Sequence, residues 1–240
     1  MSNIIKKMVI CICAIAWLTS SQVYGEDAMD YFNLGLKSSI TRTKIKYFSK
    51  ALELNPKLAA AYENRGLLYY FQGKYDETIS DYREYIAISA PKAEAFRMIG
   101  LGYLKIGLYE DATSSFSDAI KQDPEFAAAY ANRAEAHRLC GKHEEAIRDS
   151  TKAIKLGKDP TIRGDAYRTR AKVYRKTGRF DLAVADNKAT ASEDPRYPFL
   201  RFMSDSASLE GTRKIGLILI IGIAFLFIFK LKLKPPEKDD

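Results

Sequence analysis

Three side chains in the middle of the chain have the types and spacing of a metal site. His137, Cys140 and His143 form an H-x2-C-x2-H run. Imidazole nitrogens and a thiolate are zinc donors, and zinc needs three or four of them converging on one point. The run therefore raises the reading of a metal-binding sensor at His137, Cys140 and His143. These are also the only histidines in the chain, so no imidazole remains elsewhere for general acid–base work. The sequence has no HExxH pair, no GxSxG elbow and no glycine-rich phosphate loop. Its acids and serines fit helix surfaces and turns. No constellation of residues points to catalysis or to a cofactor, and the chain reads as a non-enzyme.

The elements that would carry these residues repeat. YENRGLLYYFQGKYDETISDYREYI starts at Tyr62, and related segments start at Phe96, Tyr130 and Tyr167. A small residue recurs at Gly66, Gly100, Ala134 and Ala171, at intervals of 34, 34 and 37. A glycine recurs in step at Gly73, Gly107, Gly141 and Gly178, followed by Tyr75, Tyr109, His143 and Phe180. Prolines close the units at Pro91, Pro124, Pro160 and Pro195. Apolar residues return at helical spacing, so each unit predicts two amphipathic helices. The small residue lets them approach, the second glycine ends the first helix in a left-handed conformation, and proline stops the second. One hairpin cannot bury its own apolar face, so neighbours must stack. A further unit precedes these, with Phe48, Ala51 and Pro56 in its second helix. Gly35 to Gly66 spans only 31 residues, which predicts an inter-helix turn about three residues short. The interval of 37 predicts a small insertion within KLGKDPTIRGD. In this register His137 stands where other units have Tyr69, Tyr103 and Tyr174. His143 stands where they have Tyr75, Tyr109 and Phe180. Both read more simply as packing substitutes for aromatics than as metal ligands.

These positions resemble the tetratricopeptide-repeat (TPR) family. The unit at Phe96 matches its pattern throughout, with Phe96, Gly100, Tyr103, Ala112, Phe116, Ala119 and Pro124. The likeness covers roughly residues 28–195. It implies an all-α, right-handed α-solenoid of about five helix-turn-helix repeats, at about 28–58, 59–92, 93–126, 127–161 and 164–197. It also implies a concave groove, lined by the first helix of each repeat, that takes a peptide or protein partner. The groove positions include Asn64, Leu67, Tyr70, Phe71, Arg97, Met98, Leu101, Asn132, Arg138, Arg168, Lys172 and Arg175. They run from mainly apolar and aromatic in the early repeats to mainly cationic in the last. Apolar anchors suit the first part, and acidic groups of the partner suit Arg168, Lys172 and Arg175. Glu94 and Arg97 are three apart and can pair with each other. Some family members hold chaperone tails with a carboxylate clamp. Here Asn33 and Asn64 occupy its asparagine positions, and Asn132 the same position of a later repeat, but Met29, Glu94 and Met98 stand where cations are needed. Chaperone-tail binding is therefore disfavoured.

The net charge of +8 divides along the chain. Residues 26–212 hold 30 basic and 27 acidic residues, so the repeats are close to neutral and offer no nucleic-acid footprint. The rest of the excess flanks two apolar runs. Residues 1–25 read as a secretory signal, with Lys6 and Lys7 before the run Met8–Leu18 and an acceptable cleavage point after Gly25. Ile215 to Phe229 is fifteen residues without a charge. As a helix it covers about 22 Å, and extended to Leu233 about 28 Å, close to a ~30 Å bilayer core. The expectation is a C-terminal transmembrane helix over 213–233, after a capping or juxtamembrane segment at 196–212 and before a polar tail at 234–240. Basic residues on the two sides of that span are evenly matched, so the signal decides orientation. It puts the repeats on the non-cytoplasmic side, periplasmic or lumenal. The chain then reads as a single-pass membrane scaffold or adaptor. The alternative is a tail-anchored co-chaperone or assembly factor facing the cytosol.

Overall fold

The computed structural model describes residues 27–90 and 92–196. The expected signal peptide, transmembrane helix and polar tail lie outside the described residues, as does all but the first residue of the capping segment. Among the described residues no helix is long and apolar enough to cross a membrane.

The described chain forms ten helices and no strand. They are α1 (Ala28–Lys37), α2 (Thr41–Leu54), α3 (Ala59–Phe71), α4 (Tyr75–Ile88), α5 (Ala93–Ile106), α6 (Tyr109–Gln122), α7 (Ala127–Leu139), α8 (His143–Leu156), α9 (Pro160–Lys176) and α10 (Phe180–Glu193). Each odd-numbered helix pairs with the next to make a hairpin, and each even-numbered helix in a unit packs on the hairpin that follows there. The chain divides into two compact units, one ending at Pro124 and one beginning at Glu125. Unit 1 holds α1–α6 and unit 2 holds α7–α10.

The turns follow the repeated glycine. Gly107 takes φ 87°, and Gly73, Gly141 and Gly178 each take φ 75°, a region costly for residues with a Cβ. That reversal lets the Leu108 N–H donate to the Tyr103 carbonyl at 2.9 Å and close the end of α5. The same bond joins Lys74 to Tyr69, Lys142 to His137 and Arg179 to Tyr174. Because the turn sets the backbone, the next helix needs little help to start. Among the described helices only α1 and α9 have a side-chain N-cap, from Asp27 and Asp159. Acids in the first turn of α4, α6, α8 and α10 complement the helix dipole there.

One expectation about the irregular units is corrected, and the other takes a definite form. The first hairpin does not have a shorter turn. Residues 38–40 connect α1 to α2, just as residues 72–74 connect α3 to α4. The missing residues come off the end of α1, which has 10 residues against 13 in α3. Its connection contains no left-handed glycine, and Ser38 Oγ accepts from the Ile40 N–H instead. The insertion near residue 160 is likewise helical and not a loop. Asp159 accepts from the Thr161 N–H, Pro160 takes the first helical position, and α9 runs 17 residues. The last repeat thus begins before 164, and only residues 157–159 separate it from α8.

Within each hairpin, the small residue of the first helix faces one side chain of the second. A Cβ on Gly100 would lie 2.6 Å from the Phe116 ring, and one on Gly35 2.5 Å from the Phe48 ring. Tyr82 meets Gly66 in the same way. In unit 2 the corresponding residues of the first hairpin, Ala134 and Ser150, are both small and fully buried. The cores differ accordingly. Unit 1 buries Phe32, Phe48 and Leu52 in one cluster and Ile79, Tyr82, Tyr85, Met98 and Ile99 in another. A cluster of unit 2 is built from Ala131, Ala153 and Ala166.

Candidate partner-binding surfaces

Three hairpins are locked by the same ion pair. Arg65 grips Asp81 with two hydrogen bonds, of 2.9 and 2.7 Å. Arg133 grips Asp149 at 2.7 and 2.9 Å, and Arg170 grips Asp186 at 2.8 and 2.8 Å. Each arginine is on the first helix, its aspartate sixteen residues later on the second. Tyrosine rings flank the guanidinium, 5.6 Å from Arg65 at Tyr62, from Arg133 at Tyr130 and from Arg170 at Tyr167. Burial pushes the Asp81 carboxyl up despite Arg65, so desolvation cancels much of the attraction. These pairs are structural. Sequence reasoning missed them, though Arg and Asp stand in register in three of the four aligned units. The unit at Phe96 has Ile99 and Ser115 instead.

The alternative metal reading of His137, Cys140 and His143 gains no ligand set here. Among the described residues, no group of three or more histidine, cysteine or acidic side chains could hold an ion. His137 Nε2 lies 3.6 Å from Asp149 Oδ2, beside the Arg133 pair. Burial holds its imidazole below the ordinary value, against the pull of Asp149. His143 starts α8 and faces a different environment, described below.

The groove positions of unit 1 divide into exposed and engaged. Leu67 is 40% exposed and Phe71 75% exposed, one turn apart on α3. Tyr70 beside them is half-buried, its ring edge-on to Phe71 at 5.8 Å and to Tyr75 at 5.7 Å. Asn64 donates to the Ala60 carbonyl at 2.8 Å and stays half-buried. One position on α5 is corrected. Met98 is only 3% exposed and belongs to the core between α4 and α5, so it offers no surface. Leu101 is half-buried and packs on that same core. Arg97 is held by Glu94 at 2.7 Å, the pairing their spacing suggested.

In unit 2 Asn132 is half-buried on α7. The cations of unit 2 sort in the same way. Arg168 is paired with Asp165 and lies 3.7 Å from the buried Asp194, so it is committed to the fold. Arg138 forks onto Glu135 with two bonds of 2.7 Å. Thr169 Oγ1 adds a third to Glu135 at 3.2 Å, and Lys172 Nζ lies 3.9 Å away. Burial pushes the Glu135 carboxyl up, but these partners outweigh it and hold it below its ordinary value. Arg138, His143, Lys172, Arg175 and Lys176 together line a cavity of about 540 Å³. Arg138, Lys172 and Arg175 were named above as groove positions, and Lys176, which ends α9, also falls on a groove position of the repeat pattern. His143 was not expected, because a residue opening the second helix is not a groove position in that pattern.

The helical hairpins and their left-handed turns define a class, and comparison with known proteins agrees. A tetratricopeptide-repeat model matches residues 97–161, and a second model of that description matches residues 47–79. No curated protein matches the chain. Among solved structures, the chain resembles MamA at a TM-score of 0.63 and 24% identity, covering 71% of this chain and 93% of that one. It resembles YrrB, titled a TPR protein with an unusual peptide-binding site, at 0.61 and 20%, covering 79% and 98%. It also resembles a thermophilic TPR protein of Thermus thermophilus at 0.56 and 20%, covering 76% and 99%. Residues 47–79 and 97–161 thus match tetratricopeptide repeats, and the described residues fold as all-α hairpins of that kind. Such repeats are protein-interaction modules, generally without enzymatic activity.

Proposed function

We propose that this protein is a non-enzymatic scaffold that binds a peptide or protein partner through its repeats and is held at a membrane by its C-terminal segment. The observation that carries the binding reading is the exposed pair Leu67 and Phe71 on the first helix of a stacked hairpin. Folding alone gives no reason to leave a phenylalanine 75% exposed beside a second exposed apolar side chain. An apolar anchor from a partner would cover them. YrrB, similar in fold, is titled for a peptide-binding site.

The repeats face the non-cytoplasmic side in this reading. Support comes from the first described residues. Asp27 accepts from the backbone N–H groups of Met29 and Asp30, and Asp30 accepts from that of Asp27. This capping box starts the first helix two residues after Gly25, so cleavage there would leave the fold whole.

Crosslinking of the native membrane protein, followed by capture and identification of partners, tests the binding reading. Leu67→Ser with Phe71→Ser is expected to reduce crosslinked partner at least fivefold while leaving the helical circular dichroism unchanged. Undiminished crosslinking in that variant would overturn it.

A further inference from the structure

The cavity in unit 2 is walled by three helices. Arg138 comes from the end of α7, His143 from the start of α8, and Lys172, Arg175 and Lys176 from the last turns of α9. None of these lining residues is acidic. The acids beside it are already engaged, Glu135 by Arg138, Thr169 and Lys172, and Glu144 by Arg179. The Arg175 and Lys176 side chains have no carboxylate partner among the described residues. His143 Nδ1 is buried without a hydrogen-bond partner. Elsewhere the described arginines of α9 are matched, Arg163 to Glu193, Arg168 to Asp165 and Arg170 to Asp186. Among the arginines of α9, the one without an acid among the described residues is Arg175, at the cavity.

We infer that this cavity receives two neighbouring acidic side chains of the partner. The inference rests on the peptide-binding reading above and names the chemistry of the ligand. Glu135 displays the mode of binding within the protein itself. Arg138 holds its carboxylate with a fork of two bonds, and a hydroxyl and an ammonium complete the shell. Arg175 offers an incoming carboxylate the same fork, and Lys176 supplies a second charge. Arg175 and Lys176 are both exposed and without an acid among the described residues, so two negative charges can be received there. The volume of about 540 Å³ lies within the ~300–1,000 Å³ of ligand pockets and exceeds what one carboxylate fills. An apolar anchor there would bury cations without counter-charge, which is costly.

The test is fluorescence anisotropy of the full-length protein with a fluorescein-labelled hexaglutamate peptide, and hexaglutamine for comparison, in about 150 mM salt. At that ionic strength charges more than ~8 Å apart are largely screened. Hexaglutamate binds and hexaglutamine does not. Arg175→Glu with Lys176→Glu weakens hexaglutamate at least tenfold. Lys152→Glu with Lys155→Glu makes the same change in net charge at exposed positions of α8. These lie about 13 and 18 Å along the helix from His143, and the change weakens binding less than threefold. Equal weakening by both variants, or by neither, overturns the inference. A hexapeptide with two phosphoserines that binds tenfold tighter than hexaglutamate overturns the carboxylate assignment in favour of a phosphoryl ligand. Should the reversal variant lose its helical spectrum, Arg175→Gln with Lys176→Gln carries the same expectation at about threefold. A protein whose partner depends on Leu67 and Phe71 but not on Arg175 and Lys176 sinks this inference alone. Crosslinking that is indifferent to Leu67 and Phe71 sinks the wider reading.

Discussion

Arg65 and Asp81 show why a buried ion pair is a poor measure of stability and a good measure of dependence. Their side chains are 18% and 5% exposed. At this depth the cost of desolvation is close to the gain from attraction, so the pair adds little over an apolar substitute. Breaking it is another matter, because the remaining charge has no counterpart. The chain contains its own control, since the hairpin of α5 and α6 uses Ile99 and Ser115 at the same positions. Asp81→Ser is expected to destabilise the protein by about 3–5 kcal/mol, leaving the Arg65 guanidinium uncompensated. Arg65→Ile added to it should recover most of that loss, a coupling measurable as a double-mutant cycle in urea. If the double variant is as unstable as the single one, the pair is a net stabiliser and attraction outweighs desolvation.

Helices α3–α5 and helices α7–α8 are built on one pattern with different fillings. The first set buries aromatic and branched side chains, and the second buries alanines. Alanine favours the helix by a few tenths of a kcal/mol over most residues. A larger buried side chain gains about 0.8 kcal/mol for each extra methylene removed from water, so packing outweighs propensity. The ion pairs do not offset this difference, because they occur in both sets. The central amides of α7 and α8 are therefore expected to exchange hydrogen at least tenfold faster than those of α4, a gap of roughly 1.4 kcal/mol in local opening. Equal protection would mean that close alanine packing compensates in full. The correction to α1 belongs to this scale as well. A three-residue deletion was visible as a shortened interval, but interval length is blind to where the residues come out. A helix loses its last turn at the cost of a few backbone bonds, whereas a three-residue turn cannot shorten much and still reverse the chain.

The proposed topology is a property of the whole molecule, because it couples the first residues to the last. In the proposal, a signal at 1–25 would commit the repeats to one side, and a transmembrane helix over 213–233 would hold them to the bilayer. Protease added to right-side-out vesicles is expected to digest residues 26–212 and leave a short fragment containing the tail. Mass spectrometry should find Glu26 as the new N-terminus. Full protection of the repeats, with an unprocessed N-terminus, would favour the cytosol-facing alternative.

The sequence by itself determined the repeats, their register, their turns and their all-α class. These depend on local rules, helical periodicity and the left-handed glycine, and they recur often enough to be recognised. It also suggested a surface that shifts from apolar to cationic. Tertiary structure decided which of those residues are available. Met98 left the surface because α4, the second helix of the preceding hairpin, packs over it. Arg97 and Arg168 are taken up by Glu94 and Asp165, whereas Arg175 and Lys176 find no acid. His143 passed from aromatic substitute to cavity wall. A groove position is set by its angle on one helix. Its charge balance is set partly by acids three residues away on that helix, as for Arg97 and Arg168, and partly by acids elsewhere in the chain, such as Asp194 beside Arg168, which only the packed structure brings within reach.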